Sequence, residues 1–231
     1  MPTNMYDCIT FPNKETRLKV KKEYFDTQIL TISLSKYSQL NPNVNHIDFE
    51  DSPKKVINLH EKVRRFNNNL FNLTTALMLM HNYYCIWKVL TLKEKTLYSL
   101  LFRMSARSVC FEICIYENKL RSLYGTIYKK IKNNQDMDLL VQNYLYELSK
   151  YVEDENTQFI KNIRDSDTHC DSILDAYTDE IEIVGGKATG TLSYAINNED
   201  LFNKIRIVLE NLVNLKDTLQ FILDNSKNIN L

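Results

Sequence analysis

Arg164 and His169 stand five positions apart in the most polar part of the chain, within Phe159-Ile160-Lys161-Asn162-Ile163-Arg164-Asp165-Ser166-Asp167-Thr168-His169-Cys170-Asp171. A guanidinium grips phosphate oxygens in a planar fork, and an imidazole moves a proton near neutral pH. The two together suit RNA cleavage. The 2′-OH of RNA attacks its own adjacent phosphate once a base, an acid and charge stabilisation are supplied. Such chemistry needs no metal and no other cofactor. On one continuous helix the two residues are separated by about 500° of rotation, which is not quite one face. A helix ending near Asp165 relaxes this, letting Arg164 project from the last turn and His169 from the following loop.

The same residues admit two other readings. Asp165, Asp167, His169 and Asp171 offer alternate-residue oxygens to a divalent cation, but no Gly and no terminal Glu complete a calcium loop. His169 can also be a surface imidazole bonded to a neighbouring Asp. The surroundings bear on all three. The chain has 29 Lys/Arg and 29 Asp/Glu, so no overall field recruits nucleic acid or a membrane. The distribution is uneven, however. Residues 1–133 hold 21 Lys/Arg and 11 Asp/Glu, an excess of 21 − 11 = +10, and residues 134–182 hold 3 and 13, or 3 − 13 = −10. The motif lies in the acidic part. A phosphate is held there only if basic side chains come close from the helix at 92–132 or from a second subunit.

The elements that position these residues are predicted to be helices. Only 4 Gly and 4 Pro occur, with no Pro after Pro53, and such sparse punctuation disfavours a many-stranded sheet. After an N-terminal arm at 1–13, a helix is expected over 14–39, with Leu18, Ile29, Ile32 and Leu34 inward. The β-branched run at 29–35 makes a short strand the alternative. Ser52-Pro53 then reads as the N-cap and first residue of a long helix at 53–90, whose stripe includes Val63, Phe66, Leu70, Leu73, Leu77, Met80, Tyr84 and Trp87. Thr91 and Glu94 form a capping box for a second long helix, 92–132, with Leu101, Met104, Ser108, Phe111, Ile115, Leu120, Ile127 and Ile131 inward. A helix at 139–163 leads into the motif. A small β-hairpin is expected from Ile181 to Tyr194, turning at the Gly-rich 185–190. The last helix is placed at 199–223.

The predicted fold is therefore all-α: an antiparallel bundle of four to five helices, two of them long, with a small β-hairpin inserted before the last helix. It occupies 14–226 as a single domain, followed by a polar tail at 227–231. Five Cys (8, 85, 110, 114, 170) and no leader-like segment point to reduced thiols and a cytoplasmic location. Cys110 and Cys114 lie i,i+4 among apolar residues and read as buried thiols rather than metal ligands. No apolar run approaches a membrane span.

The stretch from Arg164 to His169 resembles the signature of the HEPN superfamily: an Arg, then a polar residue, then a His after four to six intervening positions. Here it reads Arg164-Asp165-Ser166-Asp167-Thr168-His169. The resemblance implies an all-α bundle with the motif at the end of a late helix, and a homodimer in which two copies line one cleft. It implies a metal-independent endoribonuclease of toxin–antitoxin or phage-defence type, with RNA as substrate and an antitoxin or regulatory protein as a further partner. By the same resemblance His169 is the acid/base, Arg164 holds the phosphate and Asp165 is the polar orienter. The helix at 92–132, with Arg103, Arg107 and Glu112, is similar to the helix packed beside the motif in that group. Other members have lost catalysis and only bind, so a regulatory or scaffold module is the second expectation.

Overall fold

The computed structural model describes residues 15, 30–32, 54–90, 92–168, 173–175, 177–184 and 187–226. The expected arm at 1–13, most of the helix at 14–39, the caps Ser52 and Thr91, His169 and the tail at 227–231 lie outside them.

The chain is built from helices α1 (Lys54–Val89), α2 (Leu92–Ile131), α3 (Asp138–Glu153), α4 (Glu155–Thr168) and α5 (Asn198–Asn225). Short 3-10 turns occupy Gln135–Met137 and Ile173–Asp175. Between α4 and α5, β1 (Tyr177–Val184) pairs antiparallel with β2 (Lys187–Tyr194), Tyr177 opposite Tyr194 and Val184 opposite Lys187. The described residues are predominantly helical, as the all-α class requires. No helix among them is long and apolar enough to cross a membrane.

The helices begin and end for local reasons. Asn134 opens the turn before α3 by accepting the Asp136 N–H at 3.0 Å. The helix expected over 139–163 is broken at Asp154, whose backbone is extended at φ −62° and ψ 127°. Its carboxylate accepts the Thr157 N–H at 2.8 Å, so Asp154 ends α3 and caps α4. Asn197 caps α5 in the same way: its Oδ1 accepts the Asp200 N–H at 2.8 Å, and its Nδ2 donates to the Asp200 carboxylate at 2.6 Å. The first expected helix also differs. Leu30 is helical, but Thr31 and Ile32 are not. The Asn67 side-chain amide accepts the Ile32 N–H at 3.0 Å and donates to the Ile32 carbonyl at 2.9 Å. One amide thus satisfies both backbone groups outside any helix.

The contacts divide the chain into two compact units. The first comprises Met1–Asp26, Thr74–Phe111 and Phe159–Arg206, and contains the motif. Its core gathers Leu77, Met80 and Tyr84 of α1, Phe102, Ala106 and Val109 of α2, Ile160 and Ile163 of α4, and Leu201, Phe202 and Ile205 of α5. Tyr84 stacks on Phe202 with ring centroids 4.1 Å apart, an aromatic contact that adds to the area it buries. The second comprises Thr27–Leu73, Glu112–Gln158 and Ile207–Leu231. There Phe66 packs on Tyr116 at 4.8 Å, the Tyr116 hydroxyl donates to the Leu30 carbonyl at 3.0 Å, and Tyr124 stacks on Tyr144 at 4.0 Å.

The stripe of α1 agrees with the expected one from Val63 to Tyr84. That of α2 agrees at Leu101, Leu120, Ile127 and Ile131 but not between them. Met104 and Ile115, expected inward, are exposed, and Ser108 lies on the same outer side. Between Leu101 and Leu120 the inward residues include Phe102, Ala106, Val109, Cys110, Ile113 and Tyr116, with Arg103 and Glu117 buried among them. Gly125 also lies in α2, with open space where a Cβ would stand. Gly125→Ala should therefore stabilise the protein by about 0.5–1 kcal/mol by removing backbone freedom from the unfolded chain. An unchanged or lower urea midpoint would contradict this.

Candidate functional site

Helix α4 carries the first half of the motif. Ile160 and Ile163 anchor it in the first unit, both buried, and Lys204 of α5 lies 5.3 Å from the Phe159 ring centroid. The helix does not stop near Asp165. It continues through Thr168, so Arg164 and Asp165 lie inside its final turns. Two side chains hold that end. The Ser166 hydroxyl donates to the Ile163 carbonyl at 2.9 Å and accepts the Ile173 N–H at 3.3 Å. The Asp167 carboxylate, only 7% exposed, pairs through Oδ2 with Nε of Arg107 at 2.7 Å. A buried carboxylate is tolerated when a cation is this close.

Arg164 and Asp165 are brought together. Nε and Nη2 of Arg164 both donate to Oδ1 of Asp165, at 2.8 and 2.6 Å. Both side chains reach solvent. His169 lies outside the described residues, so its position relative to Arg164 is not part of this geometry.

The electrostatics differ from what the sequence suggests. Of the acidic residues clustered around the motif, Asp165 and Asp167 are each matched by an arginine, one from α4 itself and one from α2. Arg107 is thus a basic side chain from the 92–132 region that neutralises an acid of the motif. Arg103, one turn earlier on α2, is 2% exposed. It donates through Nη1 to the Leu174 carbonyl at 2.8 Å and through Nη2 to the Ile196 carbonyl, and its guanidinium lies 3.5 Å from the Tyr194 ring centroid. The sequence marks Arg103 and Arg107 as polar breaks in an apolar helix. What it does not give is that Arg107 meets Asp167 of α4 and Arg103 the Leu174 carbonyl, because that depends on the direction in which α4 leaves the core.

Among the described residues, no group of three His, Cys, Asp or Glu side chains could hold a metal ion. The two aspartates of the cation reading that are described, Asp165 and Asp167, both pair with guanidinium groups. His81, Tyr83 and Tyr84 of α1 are core components. His81 is 4% exposed, with Cys85 Sγ 3.7 Å from both ring nitrogens and the Phe202 ring 6.2 Å away. Tyr83 and Tyr84 are buried, while the partly exposed Trp87 lies under Lys95 at 4.8 Å.

Comparison of the chain with protein-family models, with curated proteins and with solved structures gives no match.

Proposed function

We propose that the chain is an HEPN-like, metal-independent endoribonuclease of toxin or phage-defence type. It would act in the cytoplasm as an antiparallel helical bundle, with the 177–194 hairpin as an insertion before the last helix. Arg164 and His169 line a cleft between two copies. His169 takes the proton from the RNA 2′-OH, and the 2′-oxygen attacks the adjacent phosphorus. Arg164 neutralises the charge that develops on the phosphoryl oxygens, and the departing 5′-oxygen takes up a proton. The products are a 2′,3′-cyclic phosphate and a 5′-hydroxyl. One imidazole cannot be base and acid at the same moment, and a second copy of the motif supplies the other. Asp165 orients Arg164.

The observation that carries this reading is the ion pair of Arg107 with Asp167, two residues before His169. It supports a site whose acidic residues are neutralised from the neighbouring long helix. The test is incubation of the purified protein with total RNA in EDTA beside Arg164→Ala and His169→Ala. Cleavage by the unmodified protein alone, leaving cyclic phosphate ends, is the expected result, and equal cleavage by all three sinks the reading. Light scattering at micromolar concentration should give a dimer. A monomer removes the shared cleft.

A second reading is favoured by the contact between Arg164 and Asp165, which places a carboxylate where a phosphate would sit. On that reading the chain is an HEPN-like binding, regulatory or scaffold module without catalysis, one partner being an antitoxin-like protein. Asp165→Asn separates the two. It keeps a polar group beside Arg164 but removes the competing charge, so a phosphate site should bind RNA about fivefold tighter, the equivalent of about 1 kcal/mol. Unchanged or weaker RNA binding favours the module.

A further inference from the structure

Leu30, Thr31 and Ile32 are seated in the second unit in the manner of a bound peptide. Leu30 is helical, and Thr31 and Ile32 are not. Leu30 and Ile32 are 1% and 2% exposed, with Thr31 half-buried between them. Two helices read the backbone of this segment. Asn67 of α1 accepts the Ile32 N–H at 3.0 Å and donates to the Ile32 carbonyl at 2.9 Å, and the Tyr116 hydroxyl of α2 donates to the Leu30 carbonyl at 3.0 Å. A carboxamide carries a donor and an acceptor side by side, so it answers both groups of one residue whatever that residue's side chain. Grooves that bind peptides work in the same way: contacts to the backbone give affinity, and burial of alternate side chains gives specificity. Beside the segment the two helices are joined to each other. Phe66 packs on Tyr116 with ring centroids 4.8 Å apart, and one turn earlier on α1 Lys62 donates to the Thr126 hydroxyl of α2 at 2.6 Å. A clamp already held in place loses little freedom on taking a ligand.

We propose that Asn67 and Tyr116 form a peptide-recognition clamp, occupied in cis by Leu30–Ile32 and open in trans to a segment of a partner protein with the same chemistry: non-helical, with two apolar side chains two residues apart. The seated segment identifies that class. The clamp offers it no charged group, and three backbone groups of an apolar tripeptide are what it reads. The chain's own segment is then a built-in competitor, and a partner binds only by displacing it. Neither Arg164, His169 nor RNA enters this recognition.

The test uses the full-length protein and a fluorophore-labelled peptide, Gln-Ile-Leu-Thr-Ile-Ser-Leu, copied from residues 28–34, with binding read by anisotropy. Ile32→Ala shortens an anchor of the resident segment and leaves the clamp residues unchanged. This variant should bind the peptide about tenfold more tightly than the unmodified protein does, because a tethered competitor acts at an effective concentration of about millimolar. Adding Asn67→Ala to Ile32→Ala should abolish the gain, and a control peptide with Ser at both anchor positions should not bind. If Ile32→Ala does not fold, Ile32→Val replaces it, with a gain of about threefold. Equal binding by the unmodified protein and the variant overturns the proposal, as does a gain that survives Asn67→Ala or that the control peptide matches. Light scattering of the same samples identifies a different occupant. A dimer of the unmodified protein that the peptide dissociates would give the clamp to the segment of a second copy, and would overturn the assignment to a partner protein.

Discussion

His169→Ala is expected to lower RNA cleavage by about 10²–10⁴-fold, the usual contribution of a positioned general acid or base. The loss should fall on kcat, because proton transfer belongs to the transition state and not to the bound ground state. Arg164→Ala should behave differently. A guanidinium that holds phosphate acts before and during the reaction, so KM should rise as well as kcat fall, by about 10²–10³ in kcat/KM. EDTA should leave the rate of the unmodified protein unchanged, since the proposed chemistry runs through the 2′-OH, an imidazole and an arginine. Cleavage should weaken steeply with added salt, as binding to the RNA backbone does. The pattern to look for is the split between the two variants. Equal effects on kcat and KM in both would mean that the residues serve the fold and not the reaction.

How far the site could be read from sequence depends on which residue is asked about. Arg164 and Asp165 were legible as polar residues after an apolar helical stripe, and they do lie in the final turns of α4. That α4 extends to Thr168 was not legible. It depends on Asp167 being buried against Arg107, and a carboxylate at that position reads in sequence as one more solvated acid. The charge count shows the limit most clearly. It gave residues 134–182 a strong acidic excess, which argued against phosphate. Pairing of Asp167 with Arg107 removes part of that objection locally, while Asp165 on Arg164 still competes with phosphate; a sum along the chain carries no information about pairing across helices.

The fold divides in the same way. The stripe of α1 was readable because its inward positions are nearly all large and apolar, from Val63 to Tyr84. On α2 two apolar stripes compete. The outer one, with Met104, Phe111 and Ile115, looks more continuous in sequence. The inner one is interrupted by Arg103 and Glu117, both charged and both buried. A periodicity argument assigns charged residues to water, and so it picked the wrong side from Met104 to Ile115, while Leu101, Leu120, Ile127 and Ile131 are buried as expected. Glu117 is held by Arg121 at 2.6 Å, a partner one turn away on the same helix. The break at Asp154 was missed for a related reason: an Asp inside an apolar pattern reads as a surface residue until its carboxylate is seen capping the next helix.

The second unit should unfold abruptly in alkali. Burial pushes the phenols of Tyr116, Tyr144 and Tyr151 well above the ordinary tyrosine range, and in Tyr151 the nearby Glu117 carboxylate adds to the shift. A group whose folded pKa is raised contributes stability that is complete below its unfolded pKa, near 10, and is lost between that value and the folded one. Above about pH 10 the unfolded chain releases these protons and the folded chain does not. Each tyrosine then removes about 1.4 kcal/mol of stability per pH unit, so the three together remove about 4. Set against a typical total of about 5–15 kcal/mol, such a slope should unfold the unit within two or three pH units. The effect should centre on α3, whose buried side chains are Tyr144 and Tyr151. Tyrosinate absorbance and far-ultraviolet circular dichroism followed together read it. Most of the 14 Tyr should ionise near pH 10, and a late group should ionise only as helix signal is lost. Tyr151→Phe should reduce the slope by about a third, because Phe has no proton to release. Ionisation of all tyrosines near pH 10 with the helices intact would mean that these three hydroxyls are not buried as described.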